Sequence, residues 1–449
     1  MKPDLSIPEG QSSPDSSDLL AAPEFRPRQP LGVAYFWLVA FFLVYCGRPE
    51  DWIPGLTLIP LAKVVGVLAL ISFFASLGRL RRGLPREMIY LILLFVQLWF
   101  TVPLSTVWRG GAFDTMLDFS KVLLIMLVMT AAVTTLGRLR RLIFVQAACV
   151  VTIAAVSLAK GELELGRLEG AVNGLYANPN ELAMGLVLTL PLCLALLLRT
   201  RNPWRRAFWT LACLLLVYVT MLTGSRAGLL ALVVSGVVCL WEFGFRGKRP
   251  FMLVTAGGIG LVVILLAGGT VKDRFDVMFN DRPTTDEQVA AHDSAVERRE
   301  LFWKSLQVTA ENPLFGVGPG NFVVVSGHWR DQHNSYTQMS SEGGLPALIL
   351  YLMILWRAFA NLRQTKKLAP AKAEATLFAM ALRASLGGFL VGSFFTTAAY
   401  QFFPYFLVGY TTALAAIVKT GGSGDAEARD TAQLSDGTDQ QYAAAPIAG

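Results

Sequence analysis

The residues of this chain whose types and settings suit group-transfer chemistry are few. Arg226 opens an apolar run, Ala227-Gly-Leu-Leu-Ala-Leu. A cation there is costly unless it is paired, snorkels to the interface or binds an anion. Together with another arginine it could clamp a diphosphate, because guanidinium forks match phosphate oxygens. Arg298 and Arg299 lie in a long polar loop, and His333 follows in His333-Asn334-Ser335-Tyr336, directly before another apolar run. A histidine near neutral pKa can take a proton from a hydroxyl group. Glu342, roughly two turns into that run, could orient His333 or a second cation. Asn180 and Glu181 open a further run, where Asn180 reads as an N-cap and Glu181 suits the positive end of the helix dipole.

Each of these residues also has a plainer reading. Arg226 could be a snorkelling anchor, His333 a solvated loop side chain and Glu342 a helix-end acid at the interface. Two other patterns carry less. Gly316-Val317-Gly318-Pro319-Gly320 looks like a phosphate-binding loop, but it has neither a βαβ setting nor a Walker lysine. Asp273, Asp276, Asp281 and Asp286 do not have EF-hand spacing and read as a solvated acidic loop. Three histidines in the whole chain exclude a multi-histidine metal centre, and no metal or cofactor is expected. The five cysteines lie in or at the ends of apolar runs, with no metal spacing or disulfide framework, and read as buried free thiols.

The elements that must position these side chains are membrane helices. Hydrophobic residues make up 54% of the chain and charged residues only 16%, too few charges for a soluble surface. Mean hydropathy is +0.50. Apolar runs lie near Leu31–Cys46, Ile53–Leu77, Glu87–Trp108, Leu117–Leu136, Leu142–Ala159 and Glu181–Leu198. Others lie near Ala207–Thr223, Ala227–Phe243, Phe251–Gly269, Met339–Trp356, Thr376–Phe395 and Tyr400–Val418. Most approach the roughly 20 residues that cross a bilayer as a helix, and lipid-facing barrel strands would alternate instead. The expectation is an all-α polytopic membrane protein with about 12 transmembrane helices.

The net charge of +7 does not point to nucleic acid, because the cations sit in short clusters between apolar runs. Clusters at Arg79–Arg86, Arg138–Arg141, Arg199–Arg206, Arg246–Arg249 and Arg357–Lys372 occupy every second loop. By the positive-inside rule these loops are cytoplasmic, as are both termini. Residues 1–30 and 419–449 read as disordered cytoplasmic tails, 31–269 as nine spans and 339–418 as three. The connection 270–338 is the one long external loop, too long to lack a role. Within it Ser294–Ala310 reads as an amphipathic helix, with Val296, Leu301, Phe302, Ser305, Leu306 and Val308 on one face. Glu311-Asn312-Pro313 closes it, and Phe315–Phe322 is a glycine-rich turn. This topology puts Asn180/Glu181, Arg226, Arg298/Arg299, His333 and Glu342 on one external side.

The pieces Ala177-Asn178-Pro179-Asn180-Glu181-Leu182-Ala183, Gly224-Ser225-Arg226-Ala227-Gly228 and Arg299-Glu300-Leu301-Phe302-Trp303 resemble the O-antigen ligase family. So do Asn312-Pro313 through Asn321-Phe322, His333-Asn334-Ser335-Tyr336 and Glu342-Gly343-Gly344-Leu345. That superfamily includes Wzy-type polysaccharide polymerases and protein O-oligosaccharyltransferases. The resemblance covers roughly Tyr176 to Leu350. A further piece, Arg48-Pro49-Glu50-Asp51-Trp52, looks like an Arg-Pro-x-x-Trp element of a ligase-like branch found near exosortase-type exopolysaccharide loci.

The resemblance implies a GT-C-like membrane glycosyltransferase in the bacterial inner membrane, facing the periplasm and needing neither nucleotide nor metal. Its donor would be a glycan on undecaprenyl diphosphate. Its acceptor would be a sugar hydroxyl of lipid A-core or a related glycan, and other envelope polysaccharide assembly proteins are further implied partners. Arg226 and Arg299 would bind the diphosphate, His333 would activate the acceptor with inversion, and Glu342 and Asn180 would support. Glu181, Asn334 and Tyr336 would contact substrate. Arg298 could replace Arg299, although the offset from Trp303 favours Arg299. The alternatives are a polymerase, a protein O-oligosaccharyltransferase, a non-catalytic assembly partner, or a flippase for the same lipid-linked glycan. A flippase should show paired halves and a charge-lined bundle; no repeat is evident, and Lys63, Asp118, Lys121 and Arg383 are the exceptions to spans poor in charge.

Overall fold

A computed structural model describes residues 31–53, 55–56, 59–76, 83–164, 167–172, 176–247, 249, 286–327, 329–369 and 374–421. In chain order its helices begin with α1 (Gly32–Gly47), the single turn α2 (Pro49–Trp52), α3 (Leu61–Phe74), α4 (Arg86–Leu104), α5 (Arg109–Ala132) and α6 (Leu136–Lys160). A minimal antiparallel hairpin, β1 (Leu163–Glu164) with β2 (Arg167–Leu168), follows. Next come α7 (Pro179–Arg199), α8 (Pro203–Leu222) and α9 (Arg226–Cys239), which runs on as a π-helical turn at Leu240–Phe245. The remainder is α10 (Asp286–Glu311), α11 (Phe322–Val325), α12 (Ser335–Leu368), α13 (Glu374–Gly392) and α14 (Phe402–Gly421).

Among the described residues, nine helices are long and apolar enough to cross a membrane, and α1 and α3 are shorter apolar helices. Together they cover every apolar run named above except Phe251–Gly269, which lies outside the described residues, as do the tail 1–30, Asp273, Asp276, Asp281 and His328. The C-terminal tail begins later than expected, because α14 continues to Gly421. The chain is an all-α polytopic membrane protein.

Small residues let the site-bearing helices approach closely. A Cβ on Gly228 of α9 would lie 2.5 Å from Ala183 of α7. On α13, a Cβ on Gly388 would meet Ala231 and Ser235 of α9, and one on Gly392 would meet Met184 of α7. Such small-residue seams supply close packing where lipid removes the hydrophobic drive between helices. Elsewhere aromatic side chains join α1 to α14, with Phe42 and Phe406 centroids 4.2 Å apart and Tyr45 and Phe402 4.6 Å apart.

One end of the bundle is laced by ion pairs. Glu87 of α4 accepts from Arg357 (3.2 Å) and Asn361 (2.9 Å) of α12. Glu242, 2% exposed in the π-helical turn, meets Lys366 (2.7 Å), Arg383 (2.7 Å) and Arg246 (3.2 Å). Glu374 holds Arg199 (2.6 Å) and Arg140 (3.4 Å). Cations of four of the basic clusters (Arg140, Arg199, Arg246, and Arg357 with Lys366) therefore gather at this end, and Arg383, an isolated charge in the sequence, is neutralised by Glu242. Asp118 and Lys121 pair with each other one turn apart on α5.

Candidate functional site

At the opposite end, the starts of α7 and α9 are knitted together. Asn178, rather than Asn180, caps α7: its side chain accepts from the Asn180 amide at 2.9 Å. Pro179 occupies the first helical position, where its fixed φ is already helical and its missing N–H costs nothing. Asn180 is thereby turned inward, and its Oδ1 accepts from Ser225 Oγ (2.7 Å) and Arg167 Nη2 (3.1 Å). Ser225 in turn caps α9 by accepting from Gly228 N at 3.1 Å, and Arg167 Nε donates to the Thr223 carbonyl at 3.1 Å. Asn180 and Arg167 therefore set the position of Arg226. Glu181 accepts from Gln401 at 3.1 Å, ahead of α14.

Arg226 is half-buried at the first position of α9. Its charge acts on Arg298, whose pKa is lowered first by burial and then by Arg226, with Glu297 opposing. Among the described residues neither arginine is ion-paired, and Arg298 Nε is buried without a hydrogen-bond partner. Arg299 is exposed. This reverses the preference for Arg299. On α10 the buried side chains are Leu301, Ser305, Val308 and Thr309, and Arg298 lies on that face at helical spacing while its neighbour is turned about 100° away. Val296 and Leu306 are exposed, so the packed face is also narrower than expected.

His333 completes the group. It has a left-handed backbone with φ 48°, a region that histidine and asparagine enter more readily than most residues. Burial, then the charges of Arg298 and Arg330, hold its pKa down at about 4, so the imidazole is neutral at physiological pH. Arg330 is itself paired with Glu297 at 3.0 Å. Asn334 and Tyr336 spend their polar atoms within the protein. Asn334 Oδ1 caps α12 by accepting from Tyr336 N (2.9 Å) and Thr337 N (3.1 Å). The Tyr336 hydroxyl donates to the Leu390 carbonyl at 2.8 Å. These contacts anchor the start of α12, directly after His333.

Glu342 stands apart from the histidine. Fully buried, it accepts from Gly320 N through Oε2 at 3.0 Å, and its carbonyl accepts from Gly318 N at 2.9 Å. Val317 N donates to Ser341 O at 2.9 Å. The glycine-rich turn is thus clamped on α12, and Thr309 and Ser340 hydroxyls, 2.9 Å apart, tie α10 to the same stretch. Glu342 secures the turn that carries α10, and through it Arg298.

Two guanidinium groups that are not ion-paired among the described residues, with a neutral imidazole near Arg298, have the chemistry to hold a doubly charged anion next to a proton acceptor. Residues 211–352 match the family model described as O-antigen ligase. This part of the chain is similar to the O-antigen ligase family. Among curated proteins none matches the chain. The matched O-antigen ligase segment contains Arg226, Arg298, His333 and Glu342, and so spans the cationic group and the turn beneath it. The match supports an O-antigen ligase or polymerase type of function in general.

The O-antigen ligase segment excludes Asn180, Glu181 and Arg167, which reach it from α7 and β2. Sequence reasoning passed over Arg167 and Arg330, which stand in loops without periodicity to mark a facing side. Gln332, 1% exposed with neither side-chain atom partnered, was also missed.

Proposed function

We propose that the chain transfers a glycan from undecaprenyl diphosphate to a sugar hydroxyl on a periplasmic acceptor, lipid A-core or a related glycan, with inversion at the anomeric carbon. What carries this reading is the meeting of Arg226 and Arg298 without an acid partner, beside half-buried His333. The two arginines bind the donor diphosphate and stabilise the charge that grows on it as the anomeric C–O bond breaks. The acceptor hydroxyl attacks from the other face, forming the new glycosidic bond, and its proton passes to His333. Undecaprenyl diphosphate leaves carrying the bond electrons.

The low pKa of His333 bears on timing. Without donor, burial first and then the charges of Arg298 and Arg330 hold it unprotonated. A bound diphosphate offsets those charges, raising the basicity of the imidazole when the proton must be taken. A polymerase would use the same groups with a growing glycan as acceptor, and a protein O-oligosaccharyltransferase with a protein hydroxyl.

The test is reconstitution in proteoliposomes with a lipid-linked oligosaccharide donor and a panel of acceptors. Product with inverted anomeric configuration is expected, abolished in Arg226→Ala and in His333→Asn, where asparagine tolerates the left-handed backbone. Transfer unchanged in both variants would overturn the mechanism. Movement of lipid across the bilayer without product would instead indicate a flippase.

A further inference from the structure

The tip Pro313-Leu314-Phe315 sits deeper than a loop outside the membrane would. Gln97 of α4 donates to the Leu314 carbonyl (2.8 Å) and to the Gly343 carbonyl (3.1 Å). Ser105, just past the end of the same helix, instead meets Val317 and Asn321 (2.8 and 2.7 Å). Along α4 the turn therefore descends from the level of Ser105 to that of Gln97, roughly 10 Å short of the helix end at about 1.5 Å per residue. Around that level α4 presents an exposed apolar stripe of Leu93, Val96, Phe100 and Leu104, the surface a bilayer would cover.

The tip continues that stripe. Leu314 is 63% and Phe315 42% exposed, and Leu345 and Ile349 of α12 are exposed beside them. Two of its carbonyls, those of Pro313 and Leu314, have partners in the protein. The Pro313 carbonyl accepts from Leu345 N at 2.7 Å, where Gly344 (φ 79°) breaks α12, and Gly316 N donates to Asn312 O at 2.9 Å. Irregular backbone at membrane depth is tolerated only under that condition. Gln97, a polar side chain within an apolar span, thereby gains a reason.

We propose that Pro313–Phe315 is a re-entrant wedge inserted into the hydrocarbon of the leaflet on the candidate site's side, with lipid acyl chains as its partner. It anchors the end of α10, and so Arg298, to the bilayer from which a lipid-linked substrate would come. The insertion itself does not depend on the proposed transfer reaction.

The full-length protein with Leu314→Cys, labelled with an environment-sensitive fluorophore in proteoliposomes, tests this. Labelled Phe100→Cys on the α4 stripe serves as the bilayer reference, and Glu300→Cys, exposed on α10, as the aqueous one. Labelling of the unsubstituted chain is subtracted. Expected are quenching by acyl-chain nitroxides matching Phe100→Cys and iodide quenching several-fold weaker than at Glu300→Cys. Iodide quenching equal to that at Glu300→Cys would overturn the proposal. Phe315→Cys reports on the same tip should Leu314→Cys fail to fold. Transfer activity is not read, so failure here leaves the proposed function standing.

Discussion

Arg298 and Arg299 are chemically identical neighbours, and burial of the first beside exposure of the second favours Arg298 for the site. Each charge-assisted hydrogen bond lost is worth about 1.5–3 kcal/mol, which at about 1.4 kcal/mol per decade is roughly ten- to over a hundredfold in rate. Arg298→Ala should lose at least that in kcat/KM, while Arg299→Ala, altering an exposed side chain, stays within a few-fold. Equal losses would return the role to both. His333 sets the pH dependence. As a base it must be neutral, so activity falls as pH drops through its pKa. For free enzyme, reported by kcat/KM, that limb should lie near pH 4; for the donor complex, reported by kcat, it should lie higher. Coincident limbs near 6.5, the ordinary histidine value, would show that neither burial nor Arg298 and Arg330 lower its pKa. The residue types of the site were legible in the sequence because a cation or histidine at a membrane edge demands a reason. The facing arginine was legible too, since Arg298, Leu301, Ser305 and Val308 share one helical stripe, but the alignment with Trp303 pointed the other way.

At the scale of elements, the spans were readable because hydropathy is a local sum, whereas the clamp beneath the site was not. Val317 N meets Ser341 O and Gly318 N meets Glu342 O, pairings between segments more than twenty residues apart that no local pattern announces. Nor could hydropathy show that Pro179 would shift the cap of α7 from Asn180 to Asn178. The clamp makes two predictions. Gly316 has φ 62°, and a Cβ there would lie 2.3 Å from the Glu342 backbone, whereas Gly327, at φ 78°, has open space. Both alanine variants carry the strain of a left-handed backbone, about 1 kcal/mol or more. Only Gly316→Ala must also push α12 and the turn apart, so its melting temperature in detergent should fall well below that of Gly327→Ala. Glu342→Gln retains an oxygen for the Gly320 amide and should keep most transfer activity, while Glu342→Leu orphans that amide and should not. If Gln and Leu fail alike, the carboxylate charge itself is required.

On the scale of the whole molecule, the two ends of the bundle treat cations oppositely. At one end Glu87, Glu242 and Glu374 draw in five arginines and Lys366, so cations of four basic clusters are held among acids. At the other, neither Arg226 nor Arg298 is ion-paired among the described residues, and Arg298 Nε is buried without a hydrogen-bond partner. Removing one partner of a buried network leaves the rest uncompensated, typically at about 3 kcal/mol or more. Glu242→Ala should therefore lower thermal stability without altering the pH limbs governed by His333, separating scaffold from site. The same asymmetry predicts an orientation. If cations next to spans are retained on the cytoplasmic side, Trp204, 84% exposed at the start of α8, lies inside and Glu300 outside. In spheroplasts of a Gram-negative host, a membrane-impermeant maleimide should label Glu300→Cys directly and Trp204→Cys only after permeabilisation. The reverse pattern would put the unneutralised arginines in the cytoplasm. The acceptor glycans proposed here would then be out of their reach, however well Arg226, Arg298 and His333 were arranged.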